Sequence, residues 1–252
     1  MATYEPKSSK DINFVKRIRE RAHYDYETVN QILDAGLLAH VGFVVPKKKS
    51  SSDVNDDDSE IPYPNVIPMV FDRIDQTLYL HGYISGRLLK ALSGPPTGSI
   101  SEEPAPKACV TVSIMDGLIV TTSAMNISNN YRSVCCYGKA RLVEDGDEKV
   151  KGLAAIVDKH FLGGKKWDDC REIQDREIKS TRVVAIDIET ASAVKRDVGP
   201  NDDKEDRVNP EIVDKIWSGV IPIKTTFGKP IPSEYNNAKI PDYIATLENK
   251  SI

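Results

Sequence analysis

The stretch Leu78-Tyr79-Leu80-His81-Gly82-Tyr83-Ile84-Ser85-Gly86-Arg87-Leu88-Leu89-Lys90 starts as an alternating strand, breaks at two glycines and restarts as a short helical run carrying Arg87 and Lys90. Leu78 and Leu80 point to one face of that strand, Tyr79 and His81 to the other. A turn that gathers a hydroxyl, a guanidinium and free backbone N–H groups suits a phosphate. Amides at the start of a helix point at an anion, and the helix dipole adds to the attraction. The same residues also read as a plain strand, turn and surface helix, so the flanking segments have to decide.

Upstream, Pro62 to Phe71 reads as a strand interrupted by Pro68, which donates no ladder hydrogen bond and so belongs at an edge or a bulge. Asp72 to Gln76 is a turn, and Thr77 to Gly82 pairs back as a hairpin. Residues 46–61 are a run of lysine, serine and aspartate without apolar anchors. Such a run cannot bury enough surface to offset the entropy of ordering, and it reads as a loop insertion. Leu37 to Val45 is an apolar strand containing His40. Before it, Asp25 is placed as the N-cap of a helix from Tyr26 to about Ala35, with Val29, Ile32 and Leu33 on one face and Gly36 at the end. Asn13 to Arg21 is basic and reads as helical, so residues from about 10 to 35 form a helical arm.

Downstream, residues 93–107 are a second loop insertion. Val110, Val112 and Ile114 alternate with Thr111 and Ser113 as a half-buried strand, and Asp116-Gly117 signals a two-residue hairpin from which Leu118 to Ser123 returns. Ser133 to Val143 is another strand, with Gly138 as a bulge. A helix follows from Asp147 to about Leu162, with Val150, Leu153, Ala154, Val157 and Phe161 on one face. A charged helix spans about Asp168 to Lys179, and Thr181 to Glu189 is the last clear strand. Residues 195–252 form an irregular extension. Six or seven short strands joined by hairpins and flanked by helices predict a mainly β fold, an antiparallel barrel built as one domain over residues 1–252.

The totals exclude several classes. With 252 residues, 40% hydrophobic and 29% charged, and a net charge of −4, the chain has no general attraction for nucleic acid or anionic membranes. It carries no apolar run of membrane-spanning length and no signal peptide, so the cytoplasm or nucleus is the expected location. Cys109, Cys135, Cys136 and Cys170 are not spaced as a metal-binding or redox pair; Cys135 and Cys136 leave a strand on opposite faces. Packed, reduced thiols are expected, with no disulfide framework and no metal. Dinucleotide loops, P-loops, zinc-protease helices and nucleophile elbows are all missing, and His23, His40 and His160 suggest no triad.

Three polar segments stand in strand context: His81 to Lys90, Tyr131-Arg132-Ser133-Val134, and Ile216-Trp217-Ser218-Gly219. Arg132 also reads as a surface ion-pair partner, and Trp217 as a core or interface anchor. Taken in order with Tyr24-Asp25 and Ile67-Pro68-Met69, and with Gly138 after the second segment, they resemble the flavin-nucleotide-binding branch of the pyridoxamine 5'-phosphate oxidase-like superfamily, the branch of the nitroimidazole-resistance proteins. The likeness runs from about Arg17 to Glu189, with the segment around Trp217 to Pro222 similar to longer members.

The resemblance implies an FMN-binding split β-barrel that is a homodimer with FMN in clefts between protomers, acting as an oxidoreductase on a small organic substrate. Met69, Val70 and Phe71 would pass beside the flavin ring. Ser85 and Arg87, with Leu88 next to them, match the phosphate-holding turn, and His81 falls near the phosphate or ribitol. Arg132 and Ser133 match a polar pair at the cleft, and Trp217 would lie near the flavin edge. A dianionic phosphate needs a guanidinium with hydroxyl and backbone donors, while the flavin carries its own redox chemistry, so no catalytic dyad is required. True pyridoxamine 5'-phosphate oxidases grip substrate with a C-terminal arginine motif, and no arginine follows Arg207 here. The vitamin B6 oxidase reaction is therefore not expected. Phe71 and Asp72 stand where a basic strand residue is expected, leaving fewer positive groups for the phosphate. The alternative is a flavin- or haem-binding carrier or sensor without turnover, with His40 or His81 as trial axial ligands.

Overall fold

The computed structural model describes residues 2–45, 63–94 and 104–252. The expected insertion at 46–61 lies outside the described residues, as does most of the one at 93–107. In chain order the elements are a 3-10 turn at Arg19–Arg21, β1 (Ala22–His23), α1 (Tyr26–Ala35), β2 (Leu38–Phe43), β3 (Asn65–Ile74), β4 (Thr77–Tyr83), α2 (Arg87–Leu92), β5 (Lys107–Val120), β6 (Ser128–Leu142), α3 (Gly146–Lys159), α4 (Asp175–Ser180), β7 (Thr181–Arg196) and β8 (Gly219–Pro222). No helix among the described residues is long and apolar enough to cross a membrane.

The strands form one antiparallel sheet in the order β1-β7-β4-β3-β2-β5-β6. Additional pairing of β7 with β6 closes β2 to β7 into a ring of six, and β8 adds to β5. The mainly β split barrel with flanking helices is therefore the fold. Contacts divide the chain into two compact units, one of residues 37–112 and 135–191 and the other of residues 1–36, 113–134 and 192–252. Strands β5, β6 and β7 run through both.

In the first of these units, strict alternation buries Ala39 and Val41 on β2, Leu78 and Leu80 on β4, Val110 and Val112 on β5, and Val184 and Ile186 on β7. A second apolar layer forms where α3 covers the opposite face of β4 and β7. There Leu153 and Ile156 meet Tyr79, Val183 and Ala185. Gly152 of α3 lies so close to the Tyr79 ring that a Cβ would overlap it. The Tyr79 hydroxyl donates to Glu148 Oε1 at 2.9 Å, and Arg141 grips both oxygens of the same carboxylate. Asp145 caps α3 by accepting from the Glu148 amide at 2.7 Å. Pro68 pairs with His40 of β2, while β4 pairs β3 only from Phe71 onward. The proline thus has a strand on one side only, the edge-like setting expected for a residue without an N–H.

In the other unit, α1 forms as expected, capped by Asp25 and buried through Val29, Ile32 and Leu33. The basic helix expected from Asn13 to Arg21 is reduced to one 3-10 turn. The Asp11 carboxylate takes the amides of Lys7 and Ser8 and the Ser8 hydroxyl, and Ile18 adopts a left-handed backbone at φ 55°, so no helix can propagate. The hairpin expected at Asp116-Gly117 is also not there: β5 continues to Val120 and the chain reverses over residues 121–127. Asp116 is held by Arg132, and Gly117 permits β8 to pass close, since a Cβ would stand 3.1 Å from the Ile221 carbonyl oxygen. Two further bounds differ: β7 runs on to Arg196, where β1 pairs with it, and the charged helix after Asp168 shortens to α4.

Gly138, expected as a bulge, lies inside β6. A Cβ there would sit within the van der Waals shell of the Asp187 carbonyl oxygen, so glycine lets β6 and β7 approach closely and close the ring.

Candidate functional site

The turn after β4 is built by local geometry. The Gly86 amide donates to the Tyr83 carbonyl at 2.8 Å, closing the turn, and the Lys90 amide donates to Gly86 to begin α2. Gly82 and Gly86 both give room: a Cβ on Gly82 would stand 2.9 Å from Leu89 Cδ1, and one on Gly86 would stand 3.0 Å from the Tyr83 oxygen. Leu88, Leu89 and Leu92 are buried and anchor α2, while Ser85 and Arg87 are exposed. The backbone-closed turn and the apolar anchor together present one hydroxyl and one guanidinium to solvent.

His81, one turn back on β4, faces the α3 side. Its ring is half-buried with Nδ1 unpartnered among the described residues, and burial, then the nearby His160, hold it below the usual imidazole range. His160 anchors itself by a 2.8 Å contact between Nδ1 and the Ile156 carbonyl.

On β3, Met69 and Val70 are half-buried and Phe71 is fully buried. The Phe71 ring carries the Lys159 ammonium 3.6 Å from its centroid, and that ammonium lies 3.6 Å from Asp72. The positive charge that the strand sequence lacks thus arrives from the end of α3. Sequence reasoning missed it because no local pattern ties Lys159 to Phe71. The lysine side chain is only 5% exposed, and its partners are already in place.

Arg132, Ser133 and Trp217 stand in the unit of the chain termini. Arg132 is committed: Nε and Nη2 donate to Asp116 at 2.9 and 2.7 Å, and this ion pair raises its already high pKa. Ser133 is half-buried, and Trp217 is exposed, its ring covering Gly219. Ser218 just beyond it donates to Asp202 and to the Val120 carbonyl, and Asp202 also accepts from the Thr122 amide at 2.8 Å. These contacts tie the Trp217 segment to the end of β5. A hollow of about 500 Å³ in the same unit, lined by Thr3, Phe14, Arg19, His23 and Tyr24 among others, contains none of the expected site residues. Among the described residues no group of three or more His, Cys, Asp or Glu side chains could hold a metal.

Met69, Val70, Phe71, His81, Ser85, Arg87 and Leu88 therefore share one compact unit, and Arg132, Ser133 and Trp217 share the other. A cluster the sequence reading did not foresee lies on β5 and β6, where Cys109 and Cys135 face each other.

The family model described as pyridoxamine 5'-phosphate oxidase matches residues 25–195. Among solved structures, the flavocytochrome Anf3 from Azotobacter vinelandii is 34% identical, with a TM-score of 0.75 over 97% of this chain and 100% of that one. The FAD and heme binding protein from Mycobacterium smegmatis is 24% identical, with a TM-score of 0.71 over 91% of this chain and 98% of that one. No curated protein matches the chain significantly.

Proposed function

Because the chain belongs to the pyridoxamine 5'-phosphate oxidase family, we propose that it is a flavin-dependent oxidoreductase acting on a small organic substrate. The observation that carries this is the turn after β4, where Ser85 and Arg87 stand exposed and without an ion pair among the described residues. A solvent-facing guanidinium beside a hydroxyl and the first free amides of α2 fits a flavin phosphate. Met69 and Val70 would offer backbone groups beside the ring, Phe71 and Leu88 would support the site from the buried side, and His81 belongs to the same proposed set; for Arg132, Ser133 and Trp217, in the other unit, the resemblance alone suggests a flavin role. A bound flavin supplies electron and hydride transfer, and the chain's task is to bind and orient it. The resemblance favours FMN, and a homodimer with the flavin between protomers goes with that reading.

A second prosthetic group is favoured by one observation, the 34% identity over nearly the full length to a protein named as a flavocytochrome. Haem would need an imidazole that can reach it. His40 is exposed on β2, whereas His81 faces α3, so His40 is the ligand we assign to that reading.

Absorption spectra of the purified protein test both. A flavin spectrum bleached by dithionite and restored by air supports the proposal, and mass analysis of the released nucleotide separates FMN from FAD. A colourless protein that neither nucleotide can load overturns it. A Soret band that disappears in His40→Ala while flavin stays supports the haem assignment; haem retained by that variant excludes His40.

A further inference from the structure

Cys109 and Cys135 lie on the neighbouring strands β5 and β6, with their Sγ atoms 3.3 Å apart and both residues half-exposed. The strand alternation explains the placement. Ala108 and Val110 on β5, and Cys136 on β6, are buried inward, so Cys109 and Cys135 are turned to the other face. Gly42 of β2 pairs with Cys109 and has no side chain to screen it.

We propose that Cys109 and Cys135 form a thiol–disulfide site that reduces hydroperoxides, with Cys135 as the attacking thiolate and Cys109 as the resolving thiol. Side chains facing each other on antiparallel neighbours have Cα atoms about 4.5–5.5 Å apart, which lies inside the roughly 4.4–6.8 Å span of disulfides. Closing from 3.3 Å to a bond needs rotation of two side chains rather than movement of a strand.

The roles follow from the donors. Thr111 Oγ1 donates to Cys135 Sγ at 3.6 Å and the Tyr137 hydroxyl donates to the same sulfur, while in the contact between the two thiols either sulfur can be the donor. Among the described residues Cys109 has, besides its partner, a contact with the Thr111 hydroxyl at 4.0 Å. Hydrogen bonds to a sulfur stabilise its thiolate, and they hold the Cys135 thiol well below its usual range while Cys109 is pushed up. Cys135 thiolate attacks one peroxide oxygen and breaks the O–O bond, giving a sulfenic acid and a leaving hydroxide from hydrogen peroxide, or alkoxide from an organic hydroperoxide, which takes a proton to become water or an alcohol respectively. Cys109 then attacks the sulfenic sulfur, its proton leaves with the sulfenic oxygen as water, and the S–S bond forms. For hydrogen peroxide the sum is two thiols and one peroxide giving one disulfide and two waters.

The test uses the full chain with stoichiometric hydrogen peroxide, followed by peptide mass mapping. The expected product is a Cys109–Cys135 linked peptide pair with a mass loss of about 2 Da, restored by dithiothreitol. In Cys109→Ser, a sulfenic acid should be trapped by dimedone on Cys135; in Cys135→Ser, trapping on Cys109 should be about tenfold slower or more. Exposed Cys170 serves as the internal standard for a thiol reacting by exposure alone. Oxidation of Cys170 ahead of the pair, linkage between separate chains instead of within one, or equal trapping in the two serine variants overturns the proposal. Circular dichroism matching the parent for both serine variants keeps these outcomes readable.

Discussion

Arg87 and Arg132 carry the same guanidinium but not the same freedom. Arg132 spends its fork on Asp116, with contacts of 2.9 and 2.7 Å, whereas Arg87 is exposed at the turn after β4 and has no ion pair among the described residues. A charge-assisted hydrogen bond contributes about 1.5–3 kcal/mol, so Arg87→Ala should weaken flavin binding by about tenfold to a hundredfold. Arg132→Ala should weaken it less; fluorescence titration of the two apoproteins decides, and equal affinity of Arg87→Ala and parent rejects the phosphate role. Gly138 makes a different residue-scale prediction. With no space between β6 and the Asp187 carbonyl, Gly138→Ala must move a backbone, at a cost of about 2 kcal/mol or more in urea unfolding. The turn that exposes Ser85 and Arg87 was legible in the sequence because a turn is written in adjacent residues. Lys159 over Phe71 was not, because its meaning depends on where α3 docks.

At the scale of the element, α3 is held to the sheet by Ile156 and Leu153 and by one polar junction, Tyr79–Glu148–Arg141. Ile156 is fully buried, and Ile156→Ala should cost about 2–5 kcal/mol of stability in chemical denaturation. Arg141, then the Tyr79 hydroxyl, keep the Glu148 carboxyl below the usual range, despite partial burial. A folded-state pKa lowered in this way gives stability that is fully present above the unfolded carboxyl value of about 4.3 and is lost as pH falls through the folded value. Glu148→Gln should therefore flatten the loss of stability below about pH 4, seen as a smaller drop in melting temperature than the parent shows. Most helix and strand cores were readable from period alone, as α1 and the 77–83 strand illustrate. One failure was a turn: Asp116-Gly117 has hairpin composition, yet an ion pair to Arg132 and pairing with β8 keep it extended.

For the whole molecule, the proposed flavin site between protomers requires a dimer, so light scattering should return about twice the 28.0 kDa chain mass; a monomer that retains full flavin occupancy rules out the interfacial site. The sequence by itself determined the strand alternation, the cap of α1, the glycine turn that exposes Arg87, and enough ordered motifs to point to the family. These are short-range properties, fixed by side-chain period, backbone freedom and capping chemistry. Tertiary structure alone decided that β6 and β7 close the ring at Gly138, that Lys159 supplies the charge beside Phe71, and that Cys109 and Cys135 meet. Each of those depends on register between strands or on the docking of a helix, and such pairing is set by the packing of the whole core rather than by residues adjacent in the chain.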